Sequence, residues 1–144
     1  MEMIFRTLTA TAKEPVRSTE HSAGLDLFSD QRASIAPGQT VIISTGITFD
    51  LEKQDDYPWF LGLYLRSSLS ISGLILGNGV GVIDSDYAGK EIKVIITNVS
   101  NDAKLLAPGS KIAQIVVQKH YSQRAGGVTF KYDKRVGGLG STGS

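Results

Sequence analysis

The apolar side chains divide the chain into short segments. Val41 to Phe49, Trp59 to Leu65, Glu91 to Thr97, Lys111 to Lys119 and Val128 to Tyr132 are rich in β-branched and aromatic residues, which pack well on a pleated surface. The pattern is clearest where Ile92, Val94 and Ile96 alternate with Glu91, Lys93, Ile95 and Thr97. That period of two predicts a strand with one buried face. Turn signals separate the runs at Pro37-Gly38, Asp55 to Pro58, Gly77-Asn78-Gly79, Pro108-Gly109 and Gly126-Gly127. Short strands between such turns predict an all-β fold: a sandwich, a jelly roll or a closed barrel. Helix is scarce. The one candidate is Ser67 to Ser72, with Ser67 or Ser68 as its cap and Gly73 as its stop.

Composition narrows the partners. At 144 residues, 41% hydrophobic and 20% charged, the chain fits one globular domain spanning 1–144. A formal charge of +1 argues against a broad basic face for nucleic acid, yet leaves room for a compact anion. There are no cysteines, which excludes disulfides and thiolate metal sites. Apolar runs such as Ile115-Val116-Val117 fall far short of the roughly 20 residues that span a bilayer. The start at Met1, Glu2 and Met3 lacks a signal-peptide pattern, so the expectation is a soluble protein of the cytoplasm or nucleus with no membrane partner. From Gly137 onward only glycine, serine and threonine accompany Leu139. A segment that buries so little predicts a mobile C-terminal arm over residues 136–144.

Five segments hold chemistry-bearing residues. Ala23-Gly24-Leu25-Asp26-Leu27 reads as a turn entering a strand, its Asp bonding nearby backbone or serving a site. Leu65-Arg66-Ser67-Ser68-Leu69 sets a guanidinium and two hydroxyls at a helix start, either an ordinary cap or a phosphate cradle. Gly77-Asn78-Gly79 reads as a tight hairpin bend between Leu74-Ile75-Leu76 and Val80 to Ile83. Backbone groups that such a hairpin leaves unpaired can meet the flat edge of a nucleobase. Asp84, Asp86 and Tyr87 follow, and two nearby carboxylates can bind metal, act as a base or solvate a turn. Gly109 to Ile115 reads as a turn feeding a buried strand, in which Gln114 stands among apolar neighbours and needs a partner if it points inward. Arg135 to Gly143 is rich in glycine and hydroxyls but contains no P-loop. His21 and His120 sit in no metal-ligand spacing and read as surface or structural residues.

In this order the five segments resemble the five motifs of the trimeric dUTPase family. The third is the most specific, in Gly81-Val82-Ile83-Asp84-Ser85-Asp86-Tyr87-Ala88-Gly89, and Gly140-Ser141-Thr142-Gly143 matches the end of the fifth. The resemblance implies a distorted jelly-roll β-barrel with one short helix and a flexible glycine-rich arm. It implies a homotrimer with shared active sites that splits dUTP into dUMP and pyrophosphate, keeping uracil out of DNA and supplying dUMP for thymidylate synthesis. Asp84 would be the general base that deprotonates a water attacking the α-phosphorus in line. Mg²⁺ would be the cofactor, bound mainly by triphosphate oxygens and water, with Asp26 holding a metal-bound water. Arg66, Ser67, Ser68 and Gln114 would hold phosphates. Backbone around Asn78, Gly81, Val82 and Ile83 would read the uracil edge, and Tyr87 would pack on the deoxyribose. Lys93, Arg135, Leu139, Gly140, Ser141 and Thr142 complete the implied substrate contacts.

The fifth motif departs from the family pattern. Leu139 stands where an aromatic usually stacks on uracil, a contact worth roughly 1–3 kcal/mol, and Lys134 occupies the register where the family's Arg normally sits. Leu65, Ser68 and Ser70 stand where Pro, Gly and Ala are frequent, and Lys90 reads as a one-residue insertion forming a bulge. Two other functions compete. A dUTPase-fold binding or regulatory protein would lack turnover, against which Asp84 and Tyr87 are intact. A dCTP deaminase would need a catalytic glutamate where Asp84 stands, and would release ammonia.

Overall fold

The structure is a computed structural model that describes residues 2–53, 59–120, 124–125 and 128–129. Its strands are β1 (Glu2–Thr7), β2 (Leu25–Phe28), β3 (Ala33–Ile35), β4 (Thr40–Ser44), β5 (Ile47–Lys53), β6 (Trp59–Leu65), β7 (Leu74–Leu76), β8 (Gly81–Asp84), β9 (Lys93–Asn98), β10 (Lys104–Leu106), β11 (Lys111–Lys119), β12 (Arg124–Ala125) and β13 (Val128–Thr129). One helix, α1 (Ser67–Ile71), and one 3-10 turn, Ser85–Tyr87, accompany them. The expected all-β, jelly-roll-like architecture with one short helix is present. Every named strand pairing is antiparallel. A four-stranded sheet runs β2-β11-β6-β8 and a three-stranded sheet β4-β9-β7, with β1-β5, β3-β10 and β12-β13 as separate pairs. No closed barrel is found among the described residues. Nor is any described helix long and apolar enough to cross a membrane.

A single apolar cluster draws the sheets together. Leu27, Ile43, Phe49, Leu61, Ile96 and Ile112 are wholly buried in it, and Phe49 meets Trp59 edge-on with ring centroids 6.1 Å apart. Each such side chain contributes about 1.5–3 kcal/mol relative to exposure. Buried Asn98 holds one end of the cluster by hydrogen bonds alone. Its Nδ2 donates to Ile35 O and Asp102 O, both at 2.8 Å, while its Oδ1 accepts from Ser100 N and Oγ. All of its capacity is used, which is the condition for burying an amide.

Trp59 to Leu65 and Lys111 to Lys119 form strands as the pattern predicts, and α1 begins at Ser67 and stops before Gly73. Four details differ. The expected strand Val41 to Phe49 is two strands in different sheets, because Gly46 turns the chain at φ +67°. A Cβ there would lie 2.7 Å from Ala12 Cβ, so only glycine fits the corner. The helix cap is Arg66 rather than a serine, and it caps through its carbonyl, which accepts from Leu69 N at 3.0 Å. Lys90 forms no bulge: its N–H donates to Tyr87 O at 3.0 Å and closes a turn before β9 begins.

The fourth difference is the hairpin. A turn does form at Gly77-Asn78-Gly79, but its flanks do not pair. β7 pairs with β9 and β8 pairs with β6, so the turn carries the chain from one sheet to another. The amides of Gly77, Gly79 and Val80 are already taken, by Ile95 O, Leu76 O and Asn78 O. Core burial drives the separation: Leu74 and Leu76 bury against β9, while Gly81 lies so close to β6 that a Cβ would stand 2.7 Å from Leu63 Cβ.

Candidate active site

A cleft of about 360 Å³ opens beside the four-stranded sheet, lined by Asp26, Arg66, Ser67, Ser68, Lys111, Ala113 and Gln114. Three separate sequence segments meet there. Asp26 on β2 lies opposite Gln114 on β11, and Gln114 lies opposite Tyr64 on β6. Just past the end of β6, Arg66 is tied back to the sheet by its N–H, which donates to Ile112 O at 3.0 Å. α1 therefore starts at the rim and presents Ser67 and Ser68 beside the guanidinium. Gly24 makes the approach possible, since a Cβ would sit 2.8 Å from Ile115 O and 2.9 Å from Gln114 Oε1.

The cleft carries an excess of positive charge, with its one acid held in place. Lys111 Nζ stands 3.1 Å from Asp26 Oδ2, and Ser18 Oγ donates to the same oxygen. Burial pushes the Asp26 carboxyl up, but the Ser18 and Lys111 hydrogen bonds and the positive charges of Lys111 and Arg66 together pull it below its ordinary value. Asp26 is therefore a carboxylate at neutral pH. With one acid against two cations, the cleft is suited to an anion with several oxygens, such as a polyphosphate.

Asp84 and Tyr87 lie elsewhere. Asp84 ends β8, exposed and opposite Phe60, and precedes the 3-10 turn without capping it through its side chain. Phe60 and Arg66 are six residues apart along β6 and the strand end, a span of roughly 20 Å at about 3.3 Å per residue. Within one chain, then, Asp84 and Arg66 stand at opposite ends of β6. Tyr87 is half-buried, donates its hydroxyl to Glu91 O at 2.8 Å and carries Lys90 Nζ 5.6 Å from its ring centroid. Burial and then the Glu91 charge raise its phenol above the ordinary value. Asn78 and Val82 are exposed, and Ile83 packs partly against the core. Lys93 opens β9 on the other sheet, exposed and opposite Ser44. Arg135, Leu139, Gly140, Ser141 and Thr142, like the rest of the arm, lie outside the described residues.

A sequence profile of the dUTPase family matches residues 10–143. The chain belongs to the dUTPase family. Among its relatives, the deoxyuridine 5'-triphosphate nucleotidohydrolase of Idiomarina loihiensis is 45% identical over 106 residues, covering 72% of this chain and 68% of that protein. The enzyme of the same description from Escherichia phage T5 is 34% identical over 153 aligned positions, covering 99% of both. Among solved structures, a dUTPase from Streptococcus mutans superposes with a TM-score of 0.71 at 29% identity, covering 84% of this chain and 98% of that one.

This dUTPase brings Asp26, Arg66, Ser67, Ser68 and Gln114 together in one cleft and holds Asp84, Tyr87, Asn78 and Lys93 apart from it. Lys111 is the charged lining residue that spacing did not single out. The register of β11 shifts between Lys111 and Ala113, and the burial sequence there puts Ile112 and Ala113 both inside. Such a β-bulge breaks the alternation and re-aims side chains, so a strict period of two misassigns Lys111. Two consecutive apolar residues after a lysine are the only trace of it in the sequence.

Among the described residues no three His, Cys, Asp or Glu side chains gather as a metal cage. Asp26, already paired with Lys111, is poorly placed to bind a bare cation directly. A cation that enters on a polyphosphate and keeps its waters fits this donor set, with Asp26 as acceptor for one of them.

Proposed function

We propose that the chain hydrolyses dUTP to dUMP and pyrophosphate as a homotrimer in which each active site combines two subunits. One observation carries this reading: the anion cleft and the exposed Asp84 are both well formed, yet in one chain stand at opposite ends of β6. A neighbouring subunit supplies the missing half. Closed rings built by head-to-tail contacts bring different surfaces of the same chain together in this way.

Arg66 offers a planar fork to phosphate oxygens, Ser67 and Ser68 add hydroxyl donors and Gln114 an amide. Mg²⁺, brought by the triphosphate, supplies charge neutralisation when bound, and Asp26 orients one of its waters. Asp84 of the neighbouring subunit takes a proton from the attacking water. The new P–O bond forms at the α-phosphorus as the bond to the bridging α–β oxygen breaks, and pyrophosphate leaves. Base recognition moves from a hairpin to a sheet edge. Among the described residues β8 pairs only with β6, so the outer N–H and C=O groups of Gly81 to Asp84 face away from the sheet. They suit the acceptor–donor–acceptor edge of uracil, and the exocyclic amine of cytosine would meet a like group there. Tyr87 packs on the deoxyribose, its ring fixed by the hydroxyl bond to Glu91, which leaves no space for a 2′-hydroxyl.

The test is pyrophosphate release with Mg²⁺ from dUTP, dCTP, dTTP and UTP, with Asp84→Asn alongside. Release from dUTP alone is expected, with turnover lowered by about 10²–10⁴ in the variant, the usual contribution of a positioned base. Release of ammonia, or no reaction from any nucleotide by folded trimer, would overturn the proposal.

A further inference from the structure

Lys111 is fixed in place more tightly than a general phosphate-attracting lysine needs to be. It lies opposite Phe28 on β2 and reaches back to Asp26, two residues along the same face of that strand. Its side chain is 32% exposed and that of Asp26 only 16%, so the pair is mostly shielded from water. Lys111 and Ser18 both engage Oδ2. A carboxylate gripped by one oxygen keeps the lone pairs of the other for a further donor. Without that grip the terminal torsion of an aspartate is broad and its second oxygen has no fixed direction.

We infer that Lys111 is a positioning residue that holds Asp26 by Oδ2 so that Oδ1 accepts a hydrogen bond from a cation-bound water of the nucleotide complex. The inference rests on the dUTP reading of the cleft. A direct Lys111–phosphate contact is the competing role, and the two differ in one respect. A lysine that binds phosphate helps whether or not the cation is present. A lysine that acts through Asp26 helps only when the cation brings its water.

Calorimetric binding of the non-hydrolysable α,β-imido analogue of dUTP, in Mg²⁺ and in EDTA, separates them without turnover. Lys111→Met and Lys111→Gln are expected to weaken binding in Mg²⁺ by about tenfold or more, the usual cost of removing an outer-shell partner. In EDTA the same variants should change affinity by less than about twofold, and adding Lys111→Met to Asp26→Asn should cost no more than Asp26→Asn alone. Lys111→Arg should restore most of the loss. Equal losses in Mg²⁺ and EDTA would overturn the inference in favour of a phosphate ligand, as would additive effects in the double variant. Undiminished affinity in both Lys111 variants would also overturn it. Failure of the unaltered protein to bind the analogue in Mg²⁺ would sink the dUTP reading itself, and the role of Lys111 with it.

Discussion

The two ends of β6 are built on different principles. At the Leu65 end, the cleft is already engaged with itself: the side chains of Lys111 and Ser18 hold Asp26, and the backbone N–H of Arg66 donates to Ile112 O of β11. At the Phe60 end, β8 has no second strand partner among the described residues and carries an exposed Val82 and an Asp84 whose side chain makes no cap hydrogen bond. On the proposed trimeric reading, the first end is prepared by its own chain and the second for another. A site divided as proposed would separate charge binding, which needs rigid cations, from base reading, which needs free amides and carbonyls.

The largest expected effect comes from recombining the halves. Subunits carrying Asp84→Asn and subunits carrying Arg66→Ala should each be nearly inactive alone. Refolded together at equal amounts, random closed trimers should regain activity in about a quarter of their sites. Pyrophosphate release that stays at the level of the separate variants would place both halves in one chain and break the comparison.

Smaller but still clear is the response to crowding the cleft from within. Gly24→Ala pushes a methyl against Ile115 O and Gln114 Oε1, which should cost about 1–3 kcal/mol of stability by overpacking. It should raise the Michaelis constant for dUTP as well. Asp84→Asn, by contrast, should leave urea unfolding within about 0.5 kcal/mol of the parent, as surface changes usually do. Equal destabilisation by both would erase the distinction between an engaged end and an open one.

The smallest effect is electrostatic. Because the Asp26 carboxyl sits below its ordinary value of 3.8 when folded, its contribution to stability is complete above that value. That contribution is lost as pH falls through the lower folded one. The difference in unfolding free energy between the parent and Asp26→Asn should therefore hold from neutrality to about pH 4 and shrink below it. A difference that already fades near pH 6 would mean that Lys111 and Ser18 do not hold the charge.

Local pattern was enough wherever one strand's partners share its period. β6, β11 and α1 could be read in this way, whereas Asp26, Arg66, Ser67, Ser68 and Gln114, which meet in one cleft, were singled out by the resemblance of their segments to family motifs. It failed where tertiary contacts choose between equal local options. Gly77-Asn78-Gly79 has the composition of a hairpin, yet the burial of Leu74 and Leu76 against β9 sends its flanks to different sheets. Gly46 hides a corner inside an apolar run because its requirement, a close approach by Ala12 and Asp30, comes from residues far away in the chain. Lys111 was hidden by a bulge, and β1 by distance: its pairing with β5 depends on partners forty or more residues away.

The open edge of β8 has a consequence for handling the protein. An edge strand with an exposed valine at its centre is a template for adding further strands, and such edges are where folded proteins begin to aggregate. Here Gly81 weakens the template at one end and the charge of Asp84 guards the other. A carboxylate proposed as the catalytic base would then also act as a gatekeeper against fibre growth. Asp84→Asn should for that reason be the variant most prone to cloud on concentration.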